Sequence, residues 1–436
     1  MNAATTSLSL LAATLLASTA GAQEKIDLDS AVARALAQTP GLAAARSRQE
    51  AANAQADALR GRLLPGINIS EEYQHYTEPF SVPFPSGPGK PPTLFPARDQ
   101  NTNVFVVGAQ QPLLGLLHLS QDQAAARTSA EAAGQQAQGV EATVREQVAT
   151  GFLRYFEARA LIETARSSEG QLAEQGHLAD ARLRAGVITQ ADALRIATAL
   201  ANARLQEAYA QAQADSARAA LLVGLGYSPD AQTVEFVEPK ELVEQAPKIL
   251  EEPAVQRDAM ERRPEVKAAA LLNEAAQKQQ QGRFFALLPE VNLEAAYVKI
   301  DGQKFASPED KYVGIKATWP IFTWGADYYA YQASSAQARA QAQQAEDQVR
   351  NVRIDASGKL ALLRATSAAV ELSQTAIQSA EEAYRVTNAQ VKAGVATSTS
   401  DLLDAESALT SARLSLVRAK YERAIAVVAL RRATGG

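Results

Sequence analysis

No proline occurs between Leu113 and Ser228, and none follows Pro320. Proline breaks a helix by removing a backbone hydrogen bond and clashing with the preceding turn, so these two regions can hold uninterrupted helices. The second region also places an apolar residue at every seventh position: Val349, Ala356, Leu363, Val370, Ile377, Tyr384 and Val391. A seven-residue period held that long means coiled-coil-like packing along the whole helix. Roughly 65 residues rising 1.5 Å each make a helix of about 100 Å. Such a length lies far outside the ordinary range of globular helices and requires an extended partner surface. The counterpart in the first region, about Ser120–Arg184, is equally long with more broken heptads. Composition agrees: hydrophobic residues make up 47% of the chain but aromatics only 6%. Alanine dominates stretches such as Gln123–Ala133 and Ala199–Ala220, and alanine forms helices well while filling cores poorly.

The two regions belong to an internal repeat. Thr39-Pro40-Gly41-Leu42 is echoed by Arg263-Pro264-Glu265-Val266, and Leu63-Leu64-Pro65-Gly66-Ile67-Asn68-Ile69 by Leu287-Leu288-Pro289-Glu290-Val291-Asn292-Leu293. Gln111-Pro112-Leu113-Leu114 matches Trp319-Pro320-Ile321-Phe322. Ala185-Gly186-Val187, Asp192-Ala193-Leu194 and Ala203-Arg204-Leu205 return as Ala393-Gly394-Val395, Asp401-Leu402-Leu403 and Ala412-Arg413-Leu414. The shared order of prolines and glycines indicates a duplicated unit, because low-complexity sequence does not supply it. The expected organisation is repeat one over 23–230, a linker or equatorial segment over 231–250, and repeat two over 251–436. Each repeat opens with a helix, about Pro40–Arg62 or Pro264–Phe285. Each long helix, about 120–184 or 325–391, ends near a glycine and turns into a second helix, about Gln190–Val223 or Ser400–Ala433. The opening helix and the returning helix together match the length of the long one, which predicts two stacked shorter helices covering one long helix.

Strand candidates lie between the proline pairs, about 65–76, 101–111, 289–299 and 311–319. Val313, Ile315, Ala317 and Trp319 alternate with Tyr312, Gly314, Lys316 and Thr318. One greasy and one wet face is the pattern of a membrane β-barrel. Glu71 interrupts the alternation of the first strand. The connection Glu78–Asn101 is long and rich in Pro, Gly and Phe, while Asp301–Asp310 is short and polar, implying hairpin loops of unequal length. Four strands cannot close a barrel, and an open edge is not tolerated in lipid, so membrane strands of this number require assembly with further copies. No stretch after the N-terminus approaches the ~20 apolar residues of a transmembrane helix.

The first 22 residues carry no charged side chain, and Leu8–Leu16 is followed by small residues ending Ala20-Gly21-Ala22. This reads as a secretory signal peptide cleaved before Gln23, although its start lacks Lys or Arg. The chain has no cysteine, which removes disulfides, thiolate metal sites and N-terminal lipidation together. A net charge of −5 with interspersed acids and bases offers no basic stripe for nucleic acid.

In the repeated Leu-Leu-Pro strand entries, the Gln111–Leu113 and Trp319–Ile321 exits, and the glycine-to-aspartate helix turns ending in Ala-Arg-Leu, the chain resembles the TolC family of outer-membrane efflux proteins. The resemblance covers nearly all of the mature chain. It implies a mainly α fold with a membrane β-barrel: a homotrimer with a twelve-stranded barrel in outer-membrane lipid and a helical tube in the periplasm. It further implies passive export with a periplasmic adaptor protein and an inner-membrane pump of RND or ABC type, with no catalytic residues and no cofactor. Pro112 and Pro320 would mark the strand exits.

By the same resemblance, the turns Arg182–Asp192 and Val391–Asp401 would form the periplasmic entrance. Arg182, Gly186, Val187, Asp192, Lys392, Gly394 and Val395 would contact the adaptor, and Asp401 with Asp404 would ring the entrance. Asp401 and Asp404 stand three apart and share a helix face. Asp401 is equally readable as an acid at a helix N-terminus, with Ser400 or Thr399 as cap, and Asp192 as a structural turn acid. Ala396 stands where some family members carry a basic residue that ties neighbouring hairpins together. Tyr73, Tyr297 and Trp319 suit a membrane boundary, though such residues also fill strand faces. Glu174-x-x-His177 is half of a di-iron motif without its second copy, and the chain offers no metal site. The competing function is a structural coiled-coil or adaptor protein of the cell envelope that encloses no pore, against which the four alternating segments argue.

Overall fold

The computed structural model describes residues 24–393 and 398–436. The leader expected over 1–22 lies outside the described residues, as do Gly394, Val395 and Ala396. In chain order the elements are β1 (Glu24–Ile26), α1 (Leu28–Gln38), α2 (Pro40–Gly61), β2 (Gly66–His75), β3 (Phe80–Phe84), β4 (Thr93–Pro112), α3 (Gly115–Arg184) and α4 (Gln190–Gly224). They continue as β5 (Val234–Phe236), α5 (Lys240–Glu244), α6 (Glu252–Arg262), α7 (Pro264–Phe285), β6 (Glu290–Gln303), β7 (Glu309–Thr318), α8 (Ala326–Lys392) and α9 (Thr399–Ala433). The helices run alike in the two halves of the chain, with lengths of 11, 22, 70 and 35 residues and then 11, 22, 67 and 35. Pro40 and Pro264 each open a 22-residue helix, at the position where a missing N–H costs nothing. Among the described residues no helix is long and apolar enough to cross a membrane.

Contacts divide the chain differently from the sequence repeat. One compact unit joins the described residues up to Leu42 with Val140–Glu261 and Arg353–Gly436; the other joins Ala43–Gly139 with Arg262–Val352. Each unit therefore draws on both halves of the chain, and α3 and α8 contribute to both.

The first unit holds the helical hairpins α3–α4 and α8–α9. Its core gathers Phe152, Tyr155, Phe156 and Phe236 edge to face, with Ile26, Leu222, Leu225 and Val234 packed around them. Strands β1 and β5 pair in parallel beside this cluster, and the linker or equatorial segment over 231–250 contains strand β5 and the short helix α5. Buried Arg423 donates to the carbonyls of Val243 at 2.8 Å and Glu244 at 3.3 Å, satisfying acceptors left open at the end of α5. Along α8 the protected positions follow two interleaved series. One is the apolar series Ala356, Leu363, Val370, Ile377, Tyr384; the other, Thr366, Ser373, Ala380, Thr387, is small or polar. A coiled-coil seam needs both.

The second unit holds an antiparallel sheet in the order β2-β4-β6-β7, with β3 paired only to the first part of β4. The connection expected as a loop over 78–101 is thus largely strand: the hairpin continues through β3 and the extended start of β4. Pro83 and Pro96 sit there opposite Leu94 and Ser81, where β3 has no further neighbour and the missing donors interrupt no interior ladder. A register shift falls between Arg98 and Asn103 where β4 meets β6. Gly302 has φ of 83°, and a Cβ there would stand 2.2 Å from the Asn101 carbonyl oxygen, so only glycine fits this bulge.

Registers place one apolar set from all four long strands on a common face. Ile67 faces Ala109, Ile69 faces Val107, Val107 and Ala109 face Tyr297 and Ala295, and Leu293 and Ala295 face Ile315 and Val313. Cross-strand partners share a face, so the greasy surface is continuous. It is bare on the outer strands, where Ile67 is 77% exposed and Ile315 70%, and half-buried at Val107 and Tyr297 on the central ones. The opposite face carries Asn68, Ser70, Glu72, Glu294, Asn292 and Lys316 together with Val104, Val106, Val298 and Ile300. Glu71 interrupts the apolar set without shifting the register; it accepts a hydrogen bond from Asn103 Nδ2 at 2.8 Å.

Candidate functional site

In the hairpin unit, the first turn is built by a glycine cap followed by a capping box. Gly186 has φ of 73°, its N–H donates to the Leu183 carbonyl at 2.9 Å, and the Val187 N–H reaches back to the Arg182 carbonyl at 2.9 Å. This is the Schellman arrangement, which consumes the last free carbonyls of α3. Thr189 then caps α4: its Oγ1 accepts from the Asp192 N–H at 3.2 Å, and the Thr189 N–H donates to Asp192 Oδ2 at 3.3 Å. Those bonds, led by the Thr189 hydroxyl, hold the Asp192 carboxyl below the usual range. Val187 projects into solvent, and Arg182 is half-buried.

The second turn repeats the capping box one residue earlier than the sequence suggests. The cap is Ser398, not Ser400 or Thr399: the Ser398 N–H donates to Asp401 Oδ2 at 3.0 Å, and the Ser400 N–H donates to Ser398 Oγ at 3.1 Å. An N-cap must have extended backbone, and Ser398 (φ −68°, ψ 147°) has it while Thr399 is already helical. Lys392 is exposed at the end of α8.

One step beyond the boxes the hairpins diverge. Three residues after Asp192 stands Arg195, 4.0 Å from its carboxylate. Three residues after Asp401 stands Asp404, exposed and without an ion pair among the described residues. Like charges three apart on a helix repel, so Asp404 contributes nothing favourable to its own helix. Glu174 and His177 are exposed on α3, and no cluster of three metal-ligating side chains occurs among the described residues.

In the sheet unit, the strand-exit residue Pro112 ends β4, opposite Asn292, and the next N–H, Leu113, donates to the Val291 carbonyl at 2.7 Å. Pro320 follows the exposed Trp319 just past β7. Trp319 and Tyr73 therefore sit at opposite ends of the sheet. Tyr73 donates to Asn101 Oδ1 at 2.9 Å, near the loop end. Tyr297 lies between them, half-buried, with the Lys311 ammonium 5.7 Å from its ring.

What the sequence left unread is a buried acid. Glu406 lies on the inner stripe of α9 between Leu402 and Leu409 and is 2% exposed. An acid at the i+4 position of an apolar stripe was the available signal.

Solved structures were found that share this fold. A structure of CusC, described with conformational changes accompanying folding and transmembrane channel formation, aligns at a TM-score of 0.79 with 18% identity, covering 94% of this chain and 92% of that one. The outer membrane protein VceC of Vibrio cholerae aligns at 0.78 with 17% identity, covering 94% and 96%. The open state of the Neisseria gonorrhoeae MtrE outer membrane channel aligns at 0.76 with 21% identity, covering 94% and 89%. A sequence comparison with curated proteins gave no match. The family model for outer membrane efflux proteins matches residues 31–227 and 255–436, which is nearly the whole of both repeats. The chain belongs to the outer membrane efflux protein family, whose members are TolC-like channels.

Proposed function

We propose that this chain is one protomer of a trimeric export duct in the bacterial outer membrane, passively conducting small molecules or secreted substrates. The observation that carries this reading is the sheet. Four long antiparallel strands share one continuous apolar face that is bare on β2 and β7, and the outer edges of these two strands have no strand partner among the described residues. Lipid tolerates such a face only if the edges close, and three copies supply twelve strands, an even number within the range of bacterial barrels. The ten residues of β2 and of β7 suit the thickness of a bilayer.

The hairpin turns would then form the periplasmic entrance and the contact surface for an adaptor protein, which links the duct to an inner-membrane pump. Energy would come from that pump. Asp401 and Asp404 would ring the entrance, three copies giving six carboxylates around a narrow axis that favour cations. The unpaired Asp404 supports this, because stability of its helix gives no reason for it. Mass measurement on detergent-purified protein tests the assembly. A particle of three chains is expected; a monomer or dimer in mild detergent overturns the reading.

A further inference from the structure

Glu406 is buried between α9 and α3 with neutral partners only. Thr410 Oγ1 donates to Ser168 Oγ at 3.0 Å, and Ser168 Oγ donates on to Glu406 Oε1 at 3.4 Å. The terminal amide of Gln171 lies 2.8 Å from Oε1 and 3.2 Å from Oε2 when its nitrogen faces the carboxyl group. Which end of an amide faces a carboxyl group follows from the hydrogen bonds available to it. With nitrogen inward it donates to a carboxylate; with oxygen inward it accepts a hydrogen bond from the O–H of a carboxylic acid. The site can therefore bond either protonation state.

The charged and titratable neighbours do not neutralise it. On α9, Arg413 lowers the pKa of Glu406 only through space and is drawn to Glu381 of α8 at 3.4 Å. On α8, Tyr384 Oη accepts from Gln175 of α3 at 3.3 Å and sits beside the same carboxyl. On α3, Glu169 is held by Arg204 of α4 at 2.9 Å, and Arg166 by Glu207 at 3.1 Å. Among the described residues Glu406 has no ion pair. Burial is the largest influence on it and pushes its pKa up, against the smaller effects of Arg413, Ser168 and Thr410.

We propose that Glu406 is a protonation-controlled latch between the two hairpins, pinning α9 to α3 when neutral and loosening that contact when it ionises. A carboxyl raised above its unfolded value binds its proton more tightly in the packed state. Its stabilising effect is complete below the unfolded value of 4.5 and is lost as pH rises through the folded pKa. Acid tightens the hairpin pair and rising pH loosens it. The consequence for passage rests on the duct reading; the latch itself does not.

Hydrogen exchange on the full-length protein in detergent, between pH 4.5 and 8, compares wild type with E406Q, a neutral variant of the same shape. Peptides covering 165–179 and 402–413 report the contact. Taking the ratio of the two proteins at each pH cancels the intrinsic pH dependence of exchange. The ratio is expected near one in acid, with wild type opening up to about tenfold more per pH unit between the unfolded value of 4.5 and the folded pKa, and levelling off above the folded pKa. The same comparison in a D401N/D404N background should reproduce the curve, since those acids are not its source. A ratio independent of pH, or a curve abolished in that background, overturns the latch. Equal far-UV helicity of E406Q and wild type in acid checks that the variant folds, and S168A with T410V should shift the midpoint upward by removing donors to the carboxylate. Duct failure would appear in particle mass, not in this ratio.

Discussion

The two helical hairpins begin their return helices with the same device and part company one turn later. Thr189 with Asp192 and Ser398 with Asp401 form matching capping boxes. In the first hairpin the capping acid is followed by Arg195, and the charge is compensated. In the second it is followed by Asp404 and then by the buried Glu406, so three carboxyl groups stand within six residues with no ion pair among them. A helix start needs one acid. The excess is the difference on which the proposed entrance role of the second hairpin rests.

The largest expected effect separates those roles. In planar bilayers, D401N/D404N should lower cation selectivity several-fold, read from reversal potentials, whereas D192N should leave it unchanged. Equal effects of the two substitutions would erase the distinction between the hairpins. Acid should act on them in opposite directions. Asp192 has a lowered pKa, so its contribution is present above the unfolded value of 3.8 and disappears as pH falls through the folded one. Exchange around 183–195 should therefore rise in acid while exchange around 402–413 falls, after correction for intrinsic rates. Smallest of all, T189A and S398A should each cost about 1 kcal/mol of local stability, and by similar amounts, because the caps are alike. A large inequality would show that the shared motif hides different surroundings.

Much of the helical scaffold was legible because its signals are local. Pro40 and Pro264 open helices by fixed backbone geometry, and Gly186 closes one by adopting a conformation other residues avoid. The alternation through Val313, Ile315 and Ala317 was enough to place the apolar face of β7. Other features depend on partners that a linear reading does not show. β3 and the start of β4 are rich in proline and read as loop, yet an edge position removes the penalty. The second seam of α8 is built from Thr366, Ser373 and Thr387, which carry no hydrophobic signal of their own. β1 and β5 have three residues each, too few for a period to register. Ser398 was passed over as a cap because Thr399 and Ser400 offer the same chemistry and only the backbone angles choose among them. The division into two compact units is likewise invisible in a repeat that runs along the chain, since contacts assemble each unit from both halves.

The proposed gate and adaptor contacts rest on the resemblance and on the unpaired Asp404, while the proposed duct rests on the sheet. Single-channel recording of the purified protein in a planar bilayer tests it most directly. The account predicts stable, ion-conducting insertions whose cation preference depends on Asp401 and Asp404. Protein that binds the bilayer without conducting, or conducts only in brief irregular bursts insensitive to both substitutions, would contradict it.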